Sequence, residues 1–367
     1  MLSISPSARL RPSPFFDAVT AEGVVTTTTY NQMLLPTGFG DPEAEYWRLI
    51  EGVSLWDVAA ERQVELRGPD AAALAQILTV RDLSKMVIGQ GKYAPLCDHD
   101  GVLLNDPIVM KVDEDRYWFS IADSNIWFWA RAVARERGLN VVISEPDVSP
   151  LAVQGPKAED VVAAVFGDWV RELKYFWFRP SEVAGIPVMV ARSGWSKQGG
   201  FEIYLLDGRK GSALWQIFRE AGAPFGIGPG NPNWCERIES GLLSWGGDTD
   251  GETNPFEVRL GRYVSLDLPD EVIGIAALRR IAEEGPKRHQ LGLILDEETP
   301  AGPEYRWCDI QADGRKVGDL TNCVWSRRLK VNIGFALVSR ALSPGDSVMV
   351  TRPTGPVPGR LTELPFI

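Results

Sequence analysis

The sequence predicts an α+β protein of more than one compact unit, closing with a small all-β barrel. Three observations predict it. A chain of 367 residues exceeds what one hydrophobic core usually serves, so two or three units are expected. Up to Gly285-Pro286, short alternating stretches mix with helical ones without the regular strand–helix repeat of a doubly wound sheet. Beyond that Gly-Pro, only strand-like stretches and turn signals follow.

Residues 1–35 read as irregular, punctuated by Pro6, Pro12 and Pro14. Asp41–Leu55 is helical, with Pro42 in its first turn. Trp56–Val58 and Gln63–Arg67 read as strands, and Asp70 caps the alanine-rich helix Ala71–Leu78. Strands Lys92–Leu96 and Val102–Val112 flank the Asp98-His-Asp-Gly101 turn, and a hairpin joins Ile108–Val112 to Tyr117–Ile121. A helix from Ser124 stops at Gly138. Strands Val141–Ser144 and Ser149–Val153 and helix Pro156–Val165 come next, then strands Ile186–Arg192 and Phe201–Leu206. Helices Gly211–Ala221, Asn233–Leu243 and Ile275–Glu284 complete the first region. The barrel strands are His289–Leu295, Trp307–Gln311, Arg315–Asp319, Ile333–Ser339 and Asp346–Arg352, with turns at Asp313-Gly314 and Pro344-Gly345.

Composition narrows the function. A net charge of −11 argues against a nucleic-acid partner, because neutralising phosphates needs a basic face. No apolar run is long enough to cross a bilayer, and the first residues lack a secretory apolar segment, so a cytoplasmic location is expected. Cys97, Cys235, Cys308 and Cys323 are scattered without a CxxC pair and read as buried thiols. With two histidines, His99 in a turn and His289, neither a metal centre nor a Ser-His or Cys-His nucleophile is supported. Thirteen tryptophans are many for this length, and indoles around one cavity suit a cationic methylated ligand.

The stretch Arg192-Ser-Gly-Trp-Ser-Lys-Gln-Gly-Gly-Phe-Glu-Ile-Tyr204 is the richest in chemistry. Period-2 alternation puts Glu202 and Tyr204 on one strand face and Phe201 and Ile203 on the other. Gly199-Gly200 permits positive φ or close approach of a ligand, and Trp195, Lys197, Glu202 and Tyr204 are candidates to converge. A hairpin with an exposed Trp accounts for the same residues. Arg237 and Glu239, on one helix, read first as a structural ion pair, although i and i+2 do not share a face.

Taken in order, several segments resemble the folate-dependent aminomethyltransferase family, the T-protein of glycine cleavage and its relatives. They are Asn31-Gln-Met-Leu-Leu-Pro36, Trp56–Val64, Asn105-Asp-Pro107, Ser120-Ile-Ala-Asp-Ser124, Val153-Gln-Gly-Pro-Lys157, Arg192–Tyr204, Glu236–Ser240, Asn254-Pro-Phe-Glu257 and Leu364–Ile367. The likeness covers essentially the whole chain and is nearest to the branch containing dimethylsulfoniopropionate demethylase. It implies a multi-domain T-protein-like fold: a folate-binding region at 1–285, made of two intertwined α+β subdomains, and a barrel domain at 286–367. Tetrahydrofolate is the implied methyl acceptor, and the partners are folate and a small methyl donor, in a monomer or homodimer without nucleic acid or membrane.

By the same resemblance, Asp106 is the catalytic carboxylate beside the reactive folate nitrogen, with Asn105 replacing a first acid. Glu202 grips the pterin, and Tyr93 and Met33 line the folate pocket. An ionised Glu202 suits that role, since it accepts two hydrogen bonds from the pterin amino group and ring N–H. Trp195, Lys197, Tyr204 and Ser124 fall on the methyl-donor side, where Lys197, or an arginine such as Arg192, pairs with the donor's carboxylate. Trp195-Ser-Lys-Gln198 stands where many T-proteins have Tyr-Thr-Gly-Glu, Asn233 replaces an arginine, and Ala122 an asparagine. These departures favour a free small substrate over a lipoyl arm. The expected reaction is methyl transfer from a sulfonium acid to N5 of tetrahydrofolate. Trp177 and Trp245 depart from the demethylase branch, which keeps two alternatives open: demethylation of a quaternary ammonium acid, such as a betaine or N-methylpyridinium carboxylate, and folate binding without catalysis.

Overall fold

The computed structural model describes residues 7–297, 300 and 306–367. Part of the N-terminal reading, Met1–Pro6, lies outside them. The fold is α+β with a closed C-terminal barrel. Its contacts divide the chain into two interleaved units: residues 1–74, 85–92 and 107–233, and residues 75–84, 93–106 and 234–367.

The first unit carries a six-stranded sheet in the order Phe178–Val183, Ile186–Ala191, Gly200–Leu205, Ser149–Gln154, Ser54–Asp57, Gly228–Gly230. Alternation along Gly200–Leu205 sends Phe201, Ile203 and Leu205 into the main core, where helices Ala158–Phe166 and Gly211–Gly222 supply Val161, Val162, Leu214, Trp215 and Phe218. Truncating such a buried leucine to alanine costs about 2–5 kcal/mol. The opposite face carries Tyr204, which packs with Phe178 and Ala191 against Met110 and Trp118 of a five-stranded sheet. That sheet runs Val142–Ser144, Gln63–Arg67, Arg116–Ser120, Ile108–Asp113, Gly91–Tyr93. Glu202 thus lies on the polar-bearing face of a central strand.

Residues 7–35 are not irregular. They form helix Phe16–Ala21 and the hairpin Thr26–Tyr30 with Met33–Gly38. Its two-residue turn, Asn31-Gln32, has φ of 49° and 61°, the left-handed pair that matches strand twist and that asparagine tolerates. The four-threonine run showed no alternation, because most of that strand faces outward.

In the second unit, six strands close into a barrel: Arg288–Leu295, Val331–Ser339, Arg315–Ser326, Cys308–Ala312, Ser347–Arg352 and Gly355–Thr362, the last pairing with the first. Leu293, Ile310, Leu320, Val338, Val350 and Leu361 fill it. Helix Ile275–Glu284 packs Ile275 and Leu278 on Val80, Leu103 and Val258. The helix expected over Asn233–Leu243 is only Trp234–Glu239, ended by Gly241 at φ 67° with Leu242 N–H donating to the Arg237 carbonyl across 2.8 Å. Arg237 and Glu239 do not pair with each other. Arg237 meets Asp248 at 2.7 Å, both fully buried, and Glu239 binds Arg328 at 2.5 Å. Residues two apart on a helix point to different sides, so each found its own counter-ion.

Candidate active site

Glu202 is 5% exposed, and among the described residues the hydrogen bonds its carboxyl receives fall on Oε2. Ser193 Oγ donates one of them, and Tyr204 Oη donates the other across 3.2 Å. Among the described residues no side chain donates to Oε1. Burial raises the Glu202 carboxyl above the usual range, and the two donated bonds oppose that rise. Tyr204 is also buried, bonded to Ser120, and its hydroxyl is held well above its ordinary pKa.

The loop that brings Ser193 to Glu202 is shaped by Gln154, a fully buried side chain missed in the sequence reading. Its Nε2 donates to the Ser193 carbonyl at 3.3 Å and to the Phe201 carbonyl at 3.4 Å, while Ser196 Oγ donates to its Oε1 at 2.8 Å. Gly194, Gly199 and Gly200 have φ of 150°, 80° and 154°, and a Cβ on Gly194 would lie 2.0 Å from Gln154 Nε2. Trp195, half-buried, and Lys197, exposed, sit in this loop. Arg192 is committed elsewhere: it bonds Glu159 at 2.8 Å and the Arg171 and Leu173 carbonyls at 3.2 Å. It is therefore not available for a donor's carboxylate.

In the second unit, strands Leu96–Cys97 and Leu103–Asn105 pair around a turn in which Asp98 Oδ1 accepts from the Asp100 and Val102 amides, each 2.9 Å. Asp106 follows directly. The Tyr93 hydroxyl donates to its Oδ2 across 2.5 Å. Burial pushes the Asp106 carboxyl up to about 7, the Tyr93 bond opposes, and the charge of Asp248 adds to the rise. Tyr93 stacks edge-on against Tyr263, ring centres 4.9 Å apart. The Trp245 indole donates to the Leu103 carbonyl at 3.0 Å and belongs to the same apolar cluster as Tyr93.

The structure therefore joins Glu202 with Tyr204, and Tyr93 with Asp106. Among the described residues of the first unit, neither Met33 nor Ser124 bonds to Glu202 or Tyr204. Met33, 7% exposed, is a core residue that also lines a cavity with Ala59 and Val148. Ser124 lines another, with Gln63 and Trp127. Trp177 lies under the Lys174 ammonium at 6.0 Å.

Residues 15–268 match the GCVT N-terminal domain, and residues 288–367 match the glycine cleavage T-protein C-terminal barrel domain. The chain belongs to the glycine cleavage T-protein family. It is 43% identical over 364 residues to a dimethylsulfoniopropionate demethylase from Ruegeria pomeroyi, covering 99% of each chain. An aminomethyltransferase from Saccharopolyspora erythraea is 30% identical over 97% of this chain and 98% of its own. The crystal structure of the glycine cleavage aminomethyltransferase T from Bartonella henselae superposes with a TM-score of 0.83 over 97% of this chain and 98% of its own, at 20% identity. That likeness carries the fold. Members of this family are folate-dependent enzymes of methyl and aminomethyl transfer, and this chain is one of them.

Tetrahydrofolate is tested by the donor set. A pterin edge presents an amino group and a ring N–H, and Glu202 offers a buried carboxyl with one oxygen engaged and the other open. The residues fit the group.

Proposed function

We propose that this protein demethylates dimethylsulfoniopropionate or a close sulfonium acid, passing the methyl to N5 of tetrahydrofolate. The observation that carries the reading is the Glu202 carboxyl, buried and half-engaged, in a chain 43% identical to a dimethylsulfoniopropionate demethylase. Glu202 accepts from the pterin, with Ser193 and Tyr204 fixing its rotamer from the other oxygen. Asp106, with Tyr93 bonded to it, serves the acceptor amine. Trp195 faces the sulfonium with its indole, contributing about 0.5–2 kcal/mol, and Lys197 pairs with the donor's carboxylate. Ser124 is left out of the donor side, because it lines a cavity whose lining does not include Trp195, and Tyr204, also expected there, is bonded to Glu202 instead.

Tetrahydrofolate supplies the secondary amine that takes the methyl. The S–CH3 bond breaks as the N–CH3 bond forms, and its electron pair stays on sulfur as a neutral thioether. That leaving group needs no acid. The proton released from the acceptor amine passes to Asp106, whose pKa of about 7 leaves it partly ionised at neutral pH. Orienting the two reactants is worth roughly 7–11 kcal/mol and does most of the work. Donor and acceptor are both free small molecules, and the four buried thiols suit the reducing cytoplasm as the place of work.

Incubating the protein with tetrahydrofolate and dimethylsulfoniopropionate, betaine and N-methylpyridinium carboxylates, followed by mass spectrometry, tests this. The expected products are 5-methyltetrahydrofolate and methylthiopropionate from the sulfonium alone. Methylfolate from an ammonium donor instead would reassign the substrate, and none from any donor would remove the catalytic reading.

A further inference from the structure

Glu202 stands at the end of a chain of donors that begins in the five-stranded sheet of the same unit. Gln63 and Ser120 lie directly opposite each other on its strands Gln63–Arg67 and Arg116–Ser120, 1% and 6% exposed. Gln63 Nε2 donates to the Glu61 carbonyl at 2.7 Å and to Ser120 Oγ at 2.9 Å. A backbone carbonyl can only accept, so the amide cannot turn over, and Ser120 meets an N–H. Ser120 lies two positions from Trp118 on the same strand face, and Trp118 packs with Tyr204 in one apolar cluster. There the Ser120 and Tyr204 hydroxyls are bonded.

Counting protons settles the direction of that bond. Tyr204 has one hydroxyl proton and donates it to Glu202 Oε2 across 3.2 Å. Its bond with Ser120 is therefore one it accepts, and accordingly the Ser120 bond favours the phenolate while the Glu202 bond favours the phenol. The chain runs one way, from the Gln63 amide through the two hydroxyls to the carboxyl, each donor polarising the next. Burial opposes ionisation of Glu202, and a protonated carboxyl is a poorer acceptor for two N–H groups. The other charges around it are few. Across its own sheet Glu202 faces uncharged Ala152 and Ala191. In the facing sheet Glu65 and Arg116 pair with each other at 2.5 Å, Glu61 disfavours the Tyr204 phenolate, and Lys197 in the Ser193 loop is exposed.

We infer that Gln63 and Ser120 are positioning residues: by directing the Tyr204 proton onto Glu202 Oε2 they keep that carboxyl ionised, with Oε1 as its free acceptor. They act through Tyr204 and need no contact with a ligand. What the ionised carboxyl is used for rests on the reading of Glu202 as the pterin's partner; the relay itself does not. Without the Ser120 hydroxyl, Tyr204 donates unpolarised and Glu202 takes up a proton at higher pH.

The Glu202 carboxyl is followed by infrared spectroscopy against pH in the ligand-free, full-length protein, its band identified by loss in Glu202→Gln. Ser120→Ala and Gln63→Met are expected to move its titration to higher pH, and Ser120→Thr, which keeps the hydroxyl, to titrate as the native protein does. Tetrahydrofolate binding, measured by calorimetry, should weaken about 2- to 12-fold at neutral pH in Ser120→Ala, the worth of one hydrogen bond, and recover as pH rises. Ser120→Ala removes a single oxygen, so it carries the test should Gln63→Met lower Tm sharply. A Glu202 titration that neither Ser120→Ala nor Gln63→Met moves overturns the inference, as does an equal shift in Ser120→Thr, which would mark a packing effect. A shifted titration together with tetrahydrofolate affinity that Glu202→Gln leaves unchanged would uphold the relay and remove the pterin reading.

Discussion

The Tyr93 hydroxyl donates to Asp106 Oδ2 across 2.5 Å, so the carboxyl we propose as proton acceptor carries a phenol that favours its ionised form. Without that bond, burial and the charge of Asp248 act unopposed and the pKa climbs.

The pH profile follows. Burial pushes the Asp106 carboxyl up to about 7, and the base proposed here works only when ionised, so kcat/KM should rise with pH through a midpoint near 7. Tyr93→Phe should move that midpoint upward, and Asp106→Asn should abolish the rise along with most activity. For stability the sign is opposite. A carboxyl whose folded pKa is raised favours the folded state below its unfolded value near 4 and loses that advantage as pH climbs to about 7. Asp106→Asn should therefore flatten part of the fall in stability between those values, measured by urea unfolding at several pH values.

The two ligands should separate genetically. Trp195→Ala is expected to raise KM for the sulfonium about 2- to 30-fold while leaving tetrahydrofolate binding unchanged. Glu202→Gln should weaken tetrahydrofolate about 10- to 150-fold, the worth of a charge-assisted bond, and spare the donor's KM. Calorimetry with each ligand decides it. Equal damage to both ligands from either change would count against the division of roles.

Arg237 and Asp248, both at 0% side-chain exposure and 2.7 Å apart, are an ion pair that only its partners keep affordable. Asp248 also accepts from Thr321 at 3.1 Å, from Asn322, and from the Ser244 amide at 2.8 Å. Asp248→Asn leaves the Arg237 guanidinium without its counter-ion and should cost about 3–5 kcal/mol in urea unfolding.

The sequence made visible what alternation and caps encode locally. Glu202 and Tyr204 sharing a strand face followed from period two, and helix Ile275–Glu284 ahead of Gly285-Pro286 followed from its stop signal. Tyr93 and Asp106 were found through family resemblance, since thirteen positions apart they carry no periodic signal. The partners of Arg237 and Glu239 were illegible because they come from residues 248 and 328, which the chain brings close only by folding. Gln154 escaped for the same reason: its value lies in the loop it meets some forty positions later.

That loop offers the sharpest test of what holds Glu202 in place. A Cβ on Gly200 would fall 2.4 Å from the Val153 carbonyl oxygen, which is backbone and cannot swing aside. On Gly194 it would fall 2.0 Å from Gln154 Nε2, at the side chain that binds the Ser193 carbonyl. Gly199 meets nothing within 4 Å and has only its φ of 80° to object. Gly199→Ala should therefore cost about 1 kcal/mol and leave both ligands bound. Gly194→Ala and Gly200→Ala should cost about 1–3 kcal/mol through overpacking. They should also displace Ser193, freeing Glu202 to leave its rotamer and weakening tetrahydrofolate binding. Thermal unfolding and folate titration of the three variants read this directly. Equal folate affinity in all three would mean that Glu202 is held by Tyr204 alone.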